Sequence, residues 1–215
     1  MIKRYILVAA GEDTFTAIYQ KNKFIRESDY VIAVDGGLKV LEKNNIKPSI
    51  FIGDNDSNIN NVDYPKLLYK SEKDESDFEL AISYVINSNS SEYKDSLDYK
   101  DVEILVYNAT GRRLDHFIST IRTIVKNEDL NIKIIDDRNI IYLIKERETI
   151  LEDANYKYIS FFNLYDDTII TLKGFKYDLD NYKMDRYCNL CLSNQIIKEG
   201  KIFCNKPIIV IRSKD

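Results

Sequence analysis

The fold class follows from one stretch, Tyr5-Ile6-Leu7-Val8-Ala9-Ala10, which ends at Gly11-Glu12-Asp13. A continuous apolar run is typical of a strand that is buried on both faces, as in a parallel sheet covered by helices. Tyr30–Val34 and Ile50–Ile52 have the same character, and an amphipathic stretch separates them. Strands that alternate with helices predict an open α/β sheet.

The rest of the first half continues this alternation. We expect further strands at Leu67–Tyr69, Val102–Tyr107 and Ile132–Ile135. We expect helices over Phe15–Lys21 (with Asp13 as its cap), around Leu38 and Leu41, over about Asp77–Ile86, and over Leu114–Val125. The last of these presents an apolar face made of Leu114, Phe117, Ile118, Ile121, Ile124 and Val125. Residues 87–101 are polar and aperiodic, which indicates a surface loop.

The pattern changes after about residue 137. Short alternating runs replace the helices, and turn signals such as Asp166-Asp167 and Glu199-Gly200 separate them. The runs are Ile140–Ile144, Tyr156–Phe162, Thr168–Leu172, Leu190–Leu192, Gln195–Ile197, Ile202–Cys204 and Ile208–Ile211. We therefore predict a Rossmann-like α/β catalytic domain over residues 1–136 and an antiparallel β-sandwich domain over residues 137–215.

Composition excludes some classes of function. The chain has 215 residues, of which 44% are hydrophobic and 31% charged, and its formal net charge is -4. This length allows one large or two small domains with a sizeable core. The acidic balance leaves no basic stripe for nucleic-acid phosphates, so we expect no nucleic-acid partner.

Targeting signals and cysteines point to the cytoplasm. No apolar run approaches the ~20 residues of a membrane span, and the run from Tyr5 to Ala10 is too short for a signal-peptide core. We therefore expect no membrane partner and reduced thiols at Cys188, Cys191 and Cys204. Cys188 and Cys191 lack a second Cys or His pair, which favours buried β-sheet cysteines over a redox or zinc site.

Acidic residues follow two of the predicted strands. Asp54 and Asp56 come directly after Ile50–Ile52, and in an extended chain their side chains point the same way. Two close carboxylates favour a bound cation, and Mg²⁺ takes one or two of them together with phosphate oxygens. An Asx-rich turn is the alternative for this segment alone.

A second acidic group, Asp74, Glu75 and Asp77, precedes a helix. Ser76 and Glu79 fit a capping box, so Asp77 has a possible structural role in the first helical turn. Three acids exceed what a cap needs, and such crowding also favours a cation. The residues therefore predict a magnesium–nucleotide enzyme.

The segment Asn108-Ala109-Thr110-Gly111-Arg112-Arg113 lies between a strand and a helix. Ligands of open α/β sheets bind at such positions, and backbone N–H groups at a helix start can hold phosphate. Arg113 would add a forked cationic donor, which Asp115 could orient. The alternative is a surface Arg–Asp pair of little energetic value, and we interpret His116 as structural.

Taken in order, these fragments resemble the thiamin pyrophosphokinase family. The fragments are Val34-Asp35-Gly36-Gly37, Gly53-Asp54-Asn55-Asp56-Ser57, Lys73-Asp74-Glu75-Ser76-Asp77, Ala109-Thr110-Gly111-Arg112-Arg113-Leu114-Asp115-His116, Gly174-Phe175-Lys176-Tyr177 and Leu192-Ser193-Asn194. The resemblance implies an α/β catalytic domain, a β-sandwich, and transfer of diphosphate from ATP to thiamine with Mg²⁺, giving thiamine diphosphate and AMP. It also implies a homodimer with active sites at the subunit interface.

The resemblance also implies roles for individual residues. The magnesium and catalytic carboxylates are Asp54, Asp56 and Asp77, with Arg113 as a further catalytic group. The nucleotide side of the cleft is made by Asp35, Gly36, Asp74, Arg113 and Asp115. Tyr177, Ser193 and Asn194 lie near the thiamine. The chain departs from the family pattern at Asn55, Ser76, Arg112 and Tyr177, and none of these changes removes a carboxylate.

Three alternatives stay open at this point. One is a pyrophosphokinase that acts on another heterocyclic alcohol, such as a pterin. A second is a receiver-like signalling module with Asp54 as phosphoacceptor, although Asp136-Asp137-Arg138 follows the last strand where that site needs a lysine. A third is a ligand-binding sandwich joined to a catalytically inactive domain.

Overall fold

The computed structural model describes residues 3–53, 65–68, 75–90, 101–152, 155–185, 187 and 189–215. The predicted site residues Asp54, Asp56 and Asp74 lie outside these residues, as does Cys188. The chain divides into two compact units, Met1–Asp137 and Arg138–Asp215. No helix in the described ranges is long and apolar enough to cross a membrane.

The first unit is a parallel sheet with helices on both faces. Its elements are β1 (Lys3–Val8), α1 (Phe15–Asn22), β2 (Tyr30–Val34), α2 (Gly37–Lys43), β3 (Ile50–Gly53), β4 (Lys66–Leu68), α3 (Asp77–Ser90), β5 (Val102–Tyr107), α4 (Leu114–Lys126) and β6 (Asn131–Ile135). The strand order is β4-β3-β2-β1-β5-β6, and all five pairings are parallel. The predicted α/β class is confirmed. The direction in which successive strands are added to the sheet reverses between β1 and β5. The boundary between these two strands is therefore the topological switch point.

The first predicted strand contains Tyr5–Val8, and these residues are buried on both faces of the sheet, as expected. Ile6 and Val8 pack with Phe15 of α1 and Leu41 of α2. Strand geometry turns the intervening Tyr5 and Leu7 to the other face, where α3 covers the sheet.

Helix α3 is longer than predicted, because it continues past Ile86 to Ser90. The polar segment after Ile86 looks like a loop in sequence, yet Asn89 is buried. Its Nδ2 donates to the carbonyl of Val85 at 2.7 Å and to the hydroxyl of Tyr5 at 3.1 Å. A satisfied amide can be buried at little cost, so the helix extends over the sheet.

The prediction for the apolar face of α4 is partly wrong. The buried residues of this helix are Thr120, Thr123 and Ile124, whereas Leu114 and Ile118 are 69% and 58% exposed. The threonine hydroxyls donate to the carbonyls four residues earlier in the helix, at 3.0 Å each. These internal hydrogen bonds allow the two threonine side chains to be buried while the apolar side chains of Leu114 and Ile118 remain exposed.

The second unit is an antiparallel sandwich, as predicted. Its strands are β7 (Asn139–Ile144), β8 (Arg147–Leu151), β9 (Tyr158–Asn163), β10 (Ile169–Phe175), β11 (Leu179–Lys183), β12 (Ile196–Cys204) and β13 (Ile208–Ser213). β13 pairs with β7 and β9, and a second sheet has the order β11-β10-β12-β8. Side chains from both sheets, including Phe161 of β9 and Leu172 of β10, form one core.

Three details of this unit differ from the prediction. Glu199-Gly200 is not a turn, since both residues lie inside β12. A Cβ on Gly200 would lie 2.5 Å from the ring of Phe175, so this glycine serves a close approach. Leu190–Leu192 forms a turn instead of a strand, and its central Cys191 is buried. Strands β8 and β11 were not predicted.

Candidate active site

The first unit contains a cavity of about 540 Å³ at the carboxyl ends of its strands. The lining residues are Ala9, Ala10, Gly11, Val34, Asp35, Ser76, Asp77, Phe78, Asn108, Ala109, Gly111, Arg112, Arg113, His116, Ser119 and Thr120. They come from the end of β2, from the segments after β1, β2 and β5, from the start of α3 and from the first half of α4. The cavity therefore lies at the switch point, where open α/β sheets bind ligands, and its size suits a small molecule.

Main-chain hydrogen bonds join the segments after β1 and β5 into one wall of this cavity. Gly11 N donates to the carbonyl of Asn108 at 2.7 Å, and Glu12 N donates to the carbonyl of Thr110 at 3.1 Å. A Cβ on Gly11 would lie 2.3 Å from the Asn108 carbonyl oxygen, so only glycine permits this approach.

Asp35 lies at the carboxyl end of β2 with a positive φ of 48°. Its N–H donates to the carbonyl of Ile52 at 2.9 Å, and its carbonyl accepts from Leu38 N at 3.2 Å. These bonds hold an uncommon backbone conformation at the cavity wall, as is frequent at functional sites. Gly36 precedes α2 and is not one of the lining residues.

The capping box at the start of α3 forms as predicted. Ser76 N donates to Glu79 Oε2 at 3.0 Å, and Glu79 N donates to Ser76 Oγ at 3.2 Å. The backbone hydrogen bond from Ser76 is the main cause of the lowered pKa of the Glu79 carboxyl. Since Ser76 and Glu79 cap the helix, the carboxylate of Asp77 is not needed for this purpose, and Asp77 lines the cavity.

Arg113 lines the cavity and binds Asp115 in a two-point ion pair. Its Nε donates to Oδ1 at 3.1 Å and its terminal nitrogen to Oδ2 at 2.5 Å. This pairing lowers the pKa of Asp115 to about 2. Asp115 itself is not among the lining residues, so its contact is with the arginine. Arg112 lines the cavity with a positive φ of 45°.

Some lining residues had no role assigned from sequence. His116, which we interpreted as structural, lies in the cavity wall together with Ser119 and Thr120. These residues share one side of α4, and their spacing of three and four residues is a signal that the apolar pattern obscured. Asn108 was part of the quoted fragment but had no assigned function.

The three predicted substrate residues of the second unit lie close together. Asn194 is 3% exposed, and its amide hydrogen-bonds to the main chain of Tyr177. Tyr177 is 59% exposed. Ser193 has a positive φ of 54°, and its N–H donates to Ser160 Oγ at 3.0 Å. Only Tyr177 and Ser193 therefore present exposed side chains in this group.

One of the three predicted metal ligands, Asp77, lies within the described residues. Within the described ranges, no three Asp, Glu, His or Cys side chains form a metal-binding group. Of the three predicted ligands, Asp77 is described, and it shares the cavity with Asp35. Asp54 and Asp56 lie outside the described residues and follow β3 directly in sequence.

Carboxylates, arginines and a helix start at the switch point of an α/β sheet are typical of enzymes that bind phosphorylated ligands. Two family models match the chain. The model described as thiamin pyrophosphokinase, catalytic domain, matches residues 21–135, and the model described as thiamin pyrophosphokinase, vitamin B1 binding domain, matches residues 144–209.

Relatives support the same assignment. The curated thiamine pyrophosphokinase of Bacillus subtilis (strain 168) is 33% identical over an alignment of 197 residues, and the match covers 86% of this chain and 87% of that protein. The crystal structure of thiamine pyrophosphokinase from Bacillus subtilis has a TM-score of 0.81 at 29% identity and covers 99% of this chain and 100% of that one. The structure from Geobacillus thermodenitrificans has a TM-score of 0.79 at 26% identity, with 99% and 98% covered.

The chain belongs to the thiamin pyrophosphokinase family and is an enzyme of that family. The yeast thiamin pyrophosphokinase structure, at 14% identity and a TM-score of 0.77 over 98% of this chain and 86% of that one, shares the fold. This membership decides against the receiver-like signalling module and the catalytically inactive domain.

Proposed function

We propose that this enzyme transfers the terminal diphosphate of ATP to the hydroxyethyl oxygen of thiamine, giving thiamine diphosphate and AMP. The observation that carries the proposal is the cavity that joins Asp35 and Asp77 to Arg112 and Arg113. A polyphosphate needs both cationic groups and, through a metal, carboxylates. The names of the relatives supply the acceptor alcohol.

The donor set in the cavity fits Mg²⁺. The two described carboxylates offer only oxygen ligands, and Mg²⁺ is commonly held by one or two carboxylates with water and substrate phosphates completing its shell. We propose that Asp77 holds the ion together with Asp54 and Asp56, and that Asp35 and Asp74 lie on the nucleotide side. When bound, the metal neutralises charge on the phosphate oxygens.

The chain's own residues align the reactants. Arg113 presents a planar cationic fork to the cavity, and Asp115 holds this fork in place from outside. An arginine so held binds phosphate oxygens in two-point fashion with little loss of side-chain freedom. The transfer breaks the bond between the β-phosphorus and the oxygen that bridges it to the α-phosphate, and it forms a bond from the thiamine oxygen to the β-phosphorus. A carboxylate of the site accepts the hydroxyl proton, and AMP leaves with the bridging oxygen.

We propose that thiamine binds at Tyr177 and Ser193 of the second unit, with Asn194 supporting them. Thiamine carries a cationic aromatic ring, which suits the face of a tyrosine. The ring of Tyr177 already receives a cation, since Lys176 Nζ lies 5.3 Å from its centre.

We also propose that the enzyme is a cytoplasmic homodimer with active sites at the subunit interface. Both units expose large apolar side chains, a feature of surfaces that bind another chain. They include Leu114 and Ile118 of α4 and Tyr187, Leu190, Leu192 and Ile197 of the second unit. Light scattering should give twice the 25.2 kDa of one chain. The free thiol of Cys204 fits the reducing cytoplasm.

The reaction is tested by incubating the protein with thiamine and Mg–ATP and measuring AMP and thiamine diphosphate. Both products should appear in equal amounts and only when all three reactants are present. AMP formed with a hydroxymethyl pterin but not with thiamine would overturn the proposal in favour of another pyrophosphokinase.

Asp77→Asn tests the carboxylate assignment. This variant keeps the side-chain shape and the capping box, so the thermal midpoint should stay unchanged while kcat falls at least ~100-fold, because a ligand of the metal that neutralises transition-state charge is lost. Asp101→Asn is the matched control, since this exposed aspartate immediately precedes β5. It therefore lies at the amino ends of the strands, whereas the cavity lies at their carboxyl ends. Normal kcat in Asp77→Asn would contradict the assignment.

A further inference from the structure

Asn108 occupies an unusual position in the cavity wall. It follows β5 directly, is completely buried and has a φ of 55°. Few side chains tolerate this left-handed conformation, and glycine adopts it without strain. The side chain of Asn108 must therefore serve a purpose that a glycine would not.

The oxygen of this amide closes the start of α1. Asn108 Oδ1 accepts from Thr14 N at 3.1 Å and from Phe15 N at 3.0 Å. Asp13 Oδ1 accepts from the next amide, Thr16 N, also at 3.1 Å. These bonds determine the orientation of the Asn108 amide, because a flipped amide would place its NH₂ group against two N–H donors.

The nitrogen of the same amide has no use within the described chain. Asn108 Nδ2 is buried and has no hydrogen-bond partner among the described residues. A buried donor without an acceptor destabilises a fold. An aspartate would cap α1 equally well and would favour the positive end of the helix. The needs of the fold therefore do not explain why this residue is an amide and not a carboxylate.

A hydrogen-bond acceptor on a bound ligand would explain why residue 108 is an asparagine. Asn108 lines the cavity together with Arg112 and Arg113, the two cations at the other end of the same segment. We infer that Asn108 Nδ2 donates a hydrogen bond to a polyphosphate oxygen of the bound nucleotide, which makes Asn108 a positioning residue for the phosphates. This inference rests on the proposed use of ATP. The amide would then hold α1 with its oxygen and the ligand with its nitrogen.

Side-chain NMR tests the inference directly. The Nδ2 amide signals of Asn108 are assigned by their absence in Asn108→Gly, which retains the positive φ. The probe is Mg²⁺ with α,β-methylene-ATP, whose bridging carbon blocks the bond that the reaction breaks. The Asn108 signals should move downfield and exchange more slowly with water on saturation, whereas thiamine alone should not change them. Unchanged Asn108 signals at saturating nucleotide would overturn the inference.

The affinity of the variants for the nucleotide analogue provides a second test. Asn108→Gly and Asn108→Asp should bind the same probe at least ~10-fold more weakly by calorimetry, which corresponds to about 1.4 kcal/mol. Asn45→Gly is the matched control, because Asn45 is an exposed asparagine with a φ of 56° outside the cavity lining. It should bind normally.

The outcomes separate this inference from the proposed function. Turnover of thiamine with ATP, combined with unaltered affinity in Asn108→Gly and Asn108→Asp, would overturn the role of Asn108 alone. Absence of any binding of the Mg²⁺ nucleotide to the wild-type enzyme would overturn both.

Discussion

Asn194 holds the main chain of Tyr177 with both atoms of its side-chain amide. Its Oδ1 accepts from Tyr177 N at 3.0 Å, and its Nδ2 donates to the Tyr177 carbonyl at 2.8 Å. The same Oδ1 accepts from Gln195 N at 2.9 Å. A buried amide with this many bonds has a fixed geometry, so Asn194 determines where the exposed ring of Tyr177 lies.

We predict that Asn194→Ala raises the KM for thiamine about tenfold, equivalent to about 1.4 kcal/mol, and changes kcat and the KM for ATP little. The reason is that Asn194 acts through Tyr177 instead of touching the reacting atoms. In a double-mutant cycle with Tyr177→Ala, the two effects should be strongly non-additive. Steady-state kinetics of the four proteins measure this.

Asn205 provides the control for this prediction. Its amide also binds a neighbouring turn, since Oδ1 accepts from Ile169 N at 2.7 Å and Nδ2 donates to the Asp167 carbonyl at 3.1 Å. Asn205→Ala should therefore remove similar hydrogen bonds without changing the KM for thiamine. Additive effects of Asn194→Ala and Tyr177→Ala would show that Asn194 does not act through the ring.

Two arginine–aspartate pairs have the same shortest contact distance but differ in burial. We predict that they differ in how much they contribute to the free energy of unfolding. Arg4–Asp29 and Arg113–Asp115 both have a shortest contact of 2.5 Å, but the Asp29 side chain is 1% exposed and the Asp115 side chain 63%. Asp29→Asn should lower the free energy of unfolding by about 3–5 kcal/mol, because it leaves a buried charge unpaired. Asp115→Asn should change it by less than about 1 kcal/mol. Urea denaturation measures both, and equal effects would contradict the prediction.

The buried pair should also give the enzyme an acid-sensitive stability. Burial raises the pKa of Asp29, but the hydrogen bonds from Arg4 and from the Arg26 backbone outweigh it, so the net pKa is lowered. A lowered pKa contributes stability above the unfolded value of about 3.9, and this contribution is lost as the pH falls through the folded pKa. The difference in stability between wild type and Asp29→Asn should be constant near pH 6 and shrink below pH ~4. A difference that grows on acidification would contradict it.

Loss of the capping box should affect both stability and nucleotide binding. Ser76→Ala removes the acceptor for Glu79 N and should destabilise the first unit by about 1 kcal/mol. Because Asp77 lies in the same helical turn, the apparent affinity for Mg²⁺ in the reaction should fall as well. Ser76→Thr, which keeps the hydroxyl, should restore both, as read from thermal unfolding and from activity at varied Mg²⁺. Failure of threonine to rescue would indicate a role for Ser76 beyond capping.

Local sequence signals predicted those elements whose causes lie within a few residues. The hydrogen bond from Thr16 N to Asp13 and the capping box at Ser76 and Glu79 are such cases, since each joins groups only three residues apart. The N-cap residue of α1 is Thr14, one position after the predicted Asp13. The C-terminal extension of α3 was not predictable in this way. It depends on a bond between Asn89 and Tyr5, which are 84 residues apart.

The candidate site shows the same division. Asp77 and Arg113 were predicted because the ends of parallel strands and the starts of the following helices meet on one side of an open α/β sheet. Asp35 was predicted from the family resemblance. The contributions of His116, Ser119 and Thr120 were missed, because they depend on the rotation of α4 about its axis. The strong apolar pattern of α4 suggested the opposite face.

By itself, the sequence determined the class of the fold, the two-part organisation of the chain and the family, because strand runs, caps and ordered motifs are properties of short segments. Only the tertiary structure decided which polar groups are enclosed and with which partners. Asn108 and Asn194 are examples, because both have the sequence context of ordinary loop residues. In the structure both are buried: the side-chain nitrogen of Asn108 has no hydrogen-bond partner among the described residues, whereas both side-chain atoms of Asn194 are hydrogen-bonded. The physical reason is that burial and hydrogen-bond satisfaction depend on distant segments, which local propensity does not encode.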